Sequence, residues 1–399
     1  MAGTRGRASA PEEYEGREQA YIKHELLKAY LEKLFLIVGM SSSKLGISEI
    51  CYVDCCAGPW ATDNENLTDT SIGVSLRILD KCKKDLDKRG VKLRFRAFYV
   101  EKEVQPFAHL DNFIKEKTPP GIDAQARHGD FVELREQILQ WCGNEAFAFI
   151  FVDPKGWKDV AVSVLRPLLQ RPKSEFLINF MYDFVSRTAS MADWKAEIGT
   201  LLGESVEVGN LHGTEREKFL VDTYRKNLKG ELPSSEKYRP RSAHVRVLDR
   251  ERERPKYHLV YLSTHPRGIV ELMEISEGVD QIQKQVRAFT KQAARIRKTG
   301  QDELFDESEI VDPDAGHVNI TEVERFWIGY LSGGEKRVGV EEFADMLEQT
   351  DWFPGDFQRA LLKLIEAGKV RNLDAKGKRP KQPLHWKEGE RLRLVEDSK

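Results

Sequence analysis

Four acidic residues each follow a short apolar or mixed run: Asp54 after Ile50-Cys51-Tyr52-Val53, Glu101 after Ala97-Phe98-Tyr99-Val100, Asp130 after 124–127, and Asp153 after Phe149-Ile150-Phe151-Val152. Runs of this length bounded by turn residues read as strands. Acids so placed collect at the carboxyl edge of a sheet, where open α/β folds bind ligands. Asp54 leads into Cys55-Cys56-Ala57-Gly58-Pro59, a turn of small residues that lets a ligand approach the backbone. Glu101 closes the second strand, where a carboxylate can accept both hydroxyls of a ribose. Asp130 either accepts an adenine amino group or caps the next helix, and the residues alone leave both open. Asp153 and Pro154, with Trp157 nearby, supply an acceptor, a rigid turn and an aromatic face. Those are the parts that hold a planar exocyclic amine.

Each position also has a plain structural reading: a β-turn at Asp54, a solvated glutamate at Glu101, helix caps at Asp130 and Asp153. The four in order are more specific than any one. Together they resemble the cofactor corner of S-adenosyl-L-methionine-dependent methyltransferases, in which Asp54, Gly58, Pro59, Glu101 and Asp130, with Lys23 as a further candidate, are expected to hold the cofactor. Asp153, Pro154 and Trp157 then face the methyl acceptor. Lys23 and His24 form a basic pair on an N-terminal amphipathic helix, most simply a solvated face. The functional option folds that helix over the cofactor, with Lys23 on its carboxylate.

The elements that must position these residues alternate. Strands are predicted over 49–54, 95–100, 124–127, 147–152 and 175–180. Amphipathic helical stretches at 71–86, 105–117, 132–141 and 160–169 separate them. This βα alternation predicts a parallel, Rossmann-like sheet with helices on both faces. A helix is expected over 20–38, another over 215–228, and a hairpin of strands 243–248 and 258–263 that closes the sheet edge. A long helix over 268–298 then leads to the acidic, Pro- and Gly-containing segment 301–317, the expected linker. Residues 1–18 read as a flexible arm, 19–300 as the sheet domain and 318–399 as a second domain. In the latter, helices at 321–331, 340–348 and 355–367 precede a basic tail, the pattern of a winged helix-turn-helix.

Composition bounds the partners. Net charge is −2, so nucleic-acid contact must come from local patches. One patch is the helix 284–298, with Lys284, Arg287, Lys291, Arg295, Arg297 and Lys298 and no intervening acid. The other is the wing 369–381, where six basic residues surround Asp374. Residues 318–399 nonetheless hold 15 basic and 15 acidic residues, so these patches have acids to contend with. The five cysteines lack zinc spacing and read as reduced, buried thiols, with no metal site expected. No apolar stretch has the length of a leader core or a membrane span, so a cytoplasmic protein with no membrane contact is expected.

Residues 20–271 resemble the three-Cys-motif partner family, TcmP, a group of methyltransferases. The matching segments are Lys23-His24-Glu25-Leu26-Leu27-Lys28-Ala29-Tyr30-Leu31, the Asp54–Trp60 corner and Asp69-Thr70-Ser71. They continue with Phe151-Val152-Asp153-Pro154-Lys155-Gly156-Trp157, Leu177-Ile178-Asn179-Phe180 and the run 257–268. The resemblance implies a class I methyltransferase fold, S-adenosyl-L-methionine as cofactor and a protein partner of the three-Cys-motif type. Trp60 stands where many such enzymes carry glycine, and Asp153-Pro154-Lys155-Gly156 replaces the amino-methyltransferase signature Asp-Pro-Pro-Tyr. The resulting expectation is a methyltransferase acting on nucleic acid, DNA before RNA, at a base exocyclic amine. Two alternatives stand beside it. One is a non-catalytic Rossmann domain that binds nucleic acid or a partner; the other is a methyltransferase of a protein or small molecule. An insertion over 61–70 lengthens the spacing between Asp54 and Glu101 and is read as a lid.

Overall fold

The computed structural model describes residues 9–58, 64, 67–235, 238–299 (side chains to 293) and 318–395. Pro59 and Trp60 of the predicted cofactor turn, and the predicted linker 301–317, lie outside them. Seven strands form the main sheet: β1 (Glu49–Asp54), β2 (Arg94–Glu101), β3 (Ile122–His128), β4 (Phe147–Val152), β5 (Ser174–Phe180), β6 (Arg241–Leu248) and β7 (Pro255–Ser263). Their order is β3-β2-β1-β4-β5-β7-β6. The first five are parallel, and β7 runs antiparallel to both its neighbours. This is a Rossmann-like, mostly parallel sheet with helices on both faces, completed by a reversed strand.

Strands buried on both faces read as unbroken apolar runs, and β4 is the clearest case, with all six residues buried. Its residues alternate between two cores. Phe147, Phe149 and Phe151 pack with one helix layer: α1 (Glu18–Met40), the short α2 (Ser42–Leu45) below it, α3 (Ser71–Lys88), α4 (Val104–Lys117) and, later in the chain, α10 (Pro266–Thr299). Ala148, Ile150 and Val152 pack with the other layer, built from α5 (Phe131–Cys142), α6 (Val162–Leu169), α7 (Tyr182–Thr188), α8 (Lys195–Leu202) and α9 (Gly213–Gly230).

The predicted arm over 1–18 is corrected by its described part. Tyr14 is buried in a 3-10 turn (Glu12–Tyr14), and its hydroxyl meets His24 Nδ1 at 3.0 Å. Its ring sits 5.2 Å from that of Tyr21, an apolar shelter that a local reading of a polar segment does not show. Among the described residues no helix is long and apolar enough to cross a membrane.

The C-terminal residues form a winged helix: α11 (Ile320–Leu331), β8 (Lys336–Val338), α12 (Val340–Thr350), α13 (Pro354–Glu366), β9 (Val370–Asn372) and β10 (Glu390–Leu394). The sequence pattern predicts the three helices and the ribbon. Strand β8, between the first two helices, is three residues long and too short to show a period. Trp327 anchors the small core and donates its indole N–H to the Phe357 carbonyl at 3.0 Å.

This unit is docked on the sheet domain through charge. Helix α12 presents Glu341, Asp345, Glu348 and Asp351 to cations of α9 and β6. Arg241 pairs with Glu341 and Asp345, Lys229 with Glu348 at 2.8 Å, and Arg225 with both oxygens of Asp351 at 2.7 and 2.9 Å. Four of the fifteen acids over 318–399 are therefore committed to this junction.

Candidate cofactor site

Strand parity explains why the predicted acids meet. Asp54, Glu101 and Asp153 continue the series Ile50-Tyr52, Phe95-Ala97-Tyr99 and Phe147-Phe149-Phe151, all on the α1 face. Asn179 continues Leu177 on β5 in the same way. Strand order reverses between β1 and β4, which opens a crevice at their carboxyl ends. A cavity of about 390 Å³ occupies that crevice.

Among the candidates, Gly58, Glu101, Asp130, Asp153, Pro154 and Lys23 all line the cavity. Glu101 is buried, and its Oε1 accepts the Glu103 amide at 2.5 Å. Asp130 is a helix cap, its Oδ1 accepting the Val132 amide at 2.8 Å, and the residue also lines the cavity. Preceding it, Gly129 has φ +142°, and a Cβ there would press on Leu134. Only glycine takes that conformation without strain, and its amide donates to the Glu101 carbonyl at 3.0 Å. The turns after β2 and β3 are thereby locked together.

Asp54 lies under the cavity rather than on its wall. It is fully buried, accepts the Cys56 amide at 3.2 Å on Oδ1, and receives the Tyr52 hydroxyl at 3.3 Å on Oδ2. Burial pushes its carboxyl up to about 6, against hydrogen bonds from Ser71 and Cys56 that pull it down. The nearby Asp153 charge adds to the rise, and Lys23 opposes it.

Lys23 corrects the solvated-face reading. It extends from the first turns of α1 into an ion pair with Asp153 Oδ2, and only 15% of its side chain is exposed. Asp153 Oδ1 accepts from Asn179 Nδ2 at 2.7 Å. His24 beside it is also buried, and burial holds its imidazole well below the usual range. The basic pair turns inward because the first turns of α1 reach the sheet's carboxyl edge, where Lys23 meets Asp153.

Trp157 is placed elsewhere than expected. It stacks on Phe184 with centroids 5.3 Å apart and meets Trp194 edge-on at 5.8 Å, outside the cavity lining. Three aromatic rings bury more apolar surface against one another than an open rim offers.

Arg17 and Asp69 are cavity residues missing from the candidate set; they ion-pair across the mouth and tie the N-terminal segment to the loop before α3. Asp69 belongs to a quoted resemblance segment, and its strand-to-helix position was the available signal. Residues 61–63 and 65–66 of the predicted lid lie outside the described residues. The basic helix 284–298 is also corrected. Lys284 pairs with Asp280 at 3.0 Å, Arg287 donates to the carbonyls of Asp249 and Arg252, and Lys291 pairs with Glu253. The acids and carbonyls come largely from the β6–β7 loop, so a local charge count sees a patch that the fold neutralises. The side chains of Arg295, Arg297 and Lys298 lie outside the described residues.

Residues 291–377 match the family model of a GMT-like wHTH domain, a match that begins inside α10. No curated protein matches the chain. Solved structures similar to it include protein LPL1258 from Legionella pneumophila str. Philadelphia 1, of family DUF519. That match has 8% identity and a TM-score of 0.35, covering 67% of this chain and 92% of that one. Precorrin-6y C5,15-methyltransferase from Geobacter metallireducens GS-15 is 12% identical with a TM-score of 0.24, covering 59% and 87%. A loganic acid methyltransferase with SAH is 8% identical with a TM-score of 0.26, covering 75% and 92%.

Proposed function

We propose that the chain is an S-adenosyl-L-methionine-dependent methyltransferase that modifies an exocyclic amine of a nucleic-acid base. The observation that carries the cofactor reading is the cavity at the strand-order reversal, with Glu101 and Asp130 on its wall. The donor set fits such a ligand. A buried carboxylate closes β2 at the place for ribose hydroxyls, and Val100 and Phe131 offer apolar contact for a base. About 390 Å³ is within the range of small-molecule sites. Six acids line the cavity against Arg17, Lys23, Lys102 and Lys155, an excess that favours a cationic ligand.

When bound, the cofactor supplies an activated methyl group on a cationic sulfur. The chain's own contribution is position. Asp153, held by Asn179, presents an acceptor at the edge of the cavity, and Pro154 fixes the turn that carries it. An amine that docks there displaces Lys23 from Asp153, and a cofactor carboxylate is a ready alternative partner for that ammonium. Asp153 would accept a hydrogen bond from the amine, aim its lone pair at the methyl group, and take the proton that the methylated amine loses before releasing it to solvent. The winged helix supports a nucleic-acid acceptor over a small molecule.

Equilibrium binding of tritiated S-adenosyl-L-methionine tests the cofactor reading. Glu101→Ala should weaken binding at least about tenfold by loss of a charged hydrogen-bond acceptor. Wild-type protein that fails to bind the cofactor overturns it. Mass spectrometry of nucleosides from cells with and without the protein tests the acceptor, with a new methylated amine expected. A methyl group found only on protein or on a small molecule overturns that part alone.

A further inference from the structure

The small sheet of the winged helix carries a feature that no single stretch of sequence shows. Along β10, Arg391 and Arg393 point to the same face, while Leu392 between them is fully buried. Register places Arg371 of β9 directly opposite Arg393, and Arg337 of β8 directly opposite Arg391. All four are exposed. Four arginines from three strands thus share one face, in two like-charged pairs across the ladder.

Like charges directly opposite on a sheet destabilise it. At Arg337 and Arg391 that cost is partly offset: Arg391 pairs with Asp374 at 2.8 Å, and Arg337 donates to the Glu388 carbonyl at 3.0 Å. Arg371 and Arg393 have no ion-pair partner among the described residues, and neither do Lys376, Lys378 and Lys381 in the adjoining wing. Meanwhile Glu341, Asp345 and Glu348 of α12 are paired with Arg241 and Lys229 of the sheet domain.

The usual reading element is differently engaged. The first turn of α13, which in a helix-turn-helix contacts base edges, is set against α10. The Gly355 amide donates to Glu277 Oε2 at 2.9 Å, and Arg359 lies 3.6 Å from the same carboxylate. A Cβ at Gly355 would meet that carboxylate, so glycine permits the approach. A carboxylate there competes with any incoming phosphate.

We propose that this arginine face, anchored on Arg371 and Arg393 and continued by the wing lysines, grips a phosphodiester backbone, while the first turn of α13 stays docked on α10. This rests on the nucleic-acid reading above and specifies its mode: backbone contact through the sheet and wing, without base readout by α13. Affinity is then insensitive to sequence and steeply salt-dependent, because each neutralised phosphate releases counterions.

The test is binding of the full chain to random-sequence duplexes of DNA and of RNA over a salt series. Arg371→Gln with Arg393→Gln should weaken binding at least about tenfold at low salt and reduce the log–log salt slope by about 2. The double variant should melt no earlier than wild type, since it removes a repulsion, and this shows that it folds. Arg359→Ala should leave binding within about twofold of wild type, as expected for a residue outside a phosphate contact. Loss of binding in Arg359→Ala with retention in the double glutamine variant overturns the proposal and leaves the nucleic-acid reading standing. Absence of binding by wild type to either duplex overturns both.

Discussion

Asp54 shows how a site residue costs its fold something. Its carboxyl titrates near 6, above the ordinary value of 3.8, because burial disfavours the charge. The folded state binds its proton more tightly than the unfolded chain, so this group supports the fold fully below about pH 4. That support fades as pH rises through 6. The cost above that point is about 3 kcal/mol for a shift of this size. Asp54→Asn should therefore raise the melting temperature at pH 7.5 and leave it near wild type at pH 4, as scanning calorimetry at both values would show. At this scale the sequence was partly legible. The acids at strand ends could be named because a short run betrays where a strand stops. The solvated-face reading of Lys23 and the substrate-facing reading of Trp157 give way because their neighbours, Asp153 and Phe184, come from other segments.

Elements were easier to read than contacts. Strand β4 and helix α3 are found where periodicity places them, since six apolar residues or an amphipathic stripe is a local signal. The β6–β7 loop supplies the counter-charge for α10, and charge pairing across distant segments leaves no periodic trace. The junction between α9, β6 and α12 makes the same point. Arg225 is buried and serves Asp351, the Ser242 carbonyl at 2.9 Å and His244 Nδ1 at 3.0 Å. Arg225→Ala strands the largely buried carboxylate of Asp351 without its partner. A loss of about 3–5 kcal/mol is expected, read as a fall in melting temperature on the order of 5–10 °C. Restoring length without charge, as in Arg225→Met, should not recover it.

At the scale of the whole molecule, the junction makes stability depend on pH in a second window. His244 and His258 are both held below the ordinary histidine value, by burial first, with Arg225 adding to it for His244. Buried neutral imidazoles support the fold fully above about pH 6.5 and lose that support as pH falls, because the unfolded chain takes up the protons more readily. Chemical denaturation between pH 7.5 and 5.5 should show a falling midpoint, and His244→Gln should flatten that slope; an unchanged slope would place the acid sensitivity elsewhere. The seven-stranded sheet and the helix content of the winged domain were legible in the sequence because each is assembled from local patterns. The way the two join was not, since it depends on which side of α12 holds its acids.

That joint has a practical consequence for anyone who divides the chain. The acidic segment 301–317 invites a cut, and a fragment ending there would keep α9, β6 and α10. It would then present Arg225, Lys229 and Arg241 bare, beside the apolar stripe of α10 that shares a core with Phe343 and Phe357. A truncated sheet domain should precipitate more readily than the intact chain, as light scattering of the two at equal concentration would show.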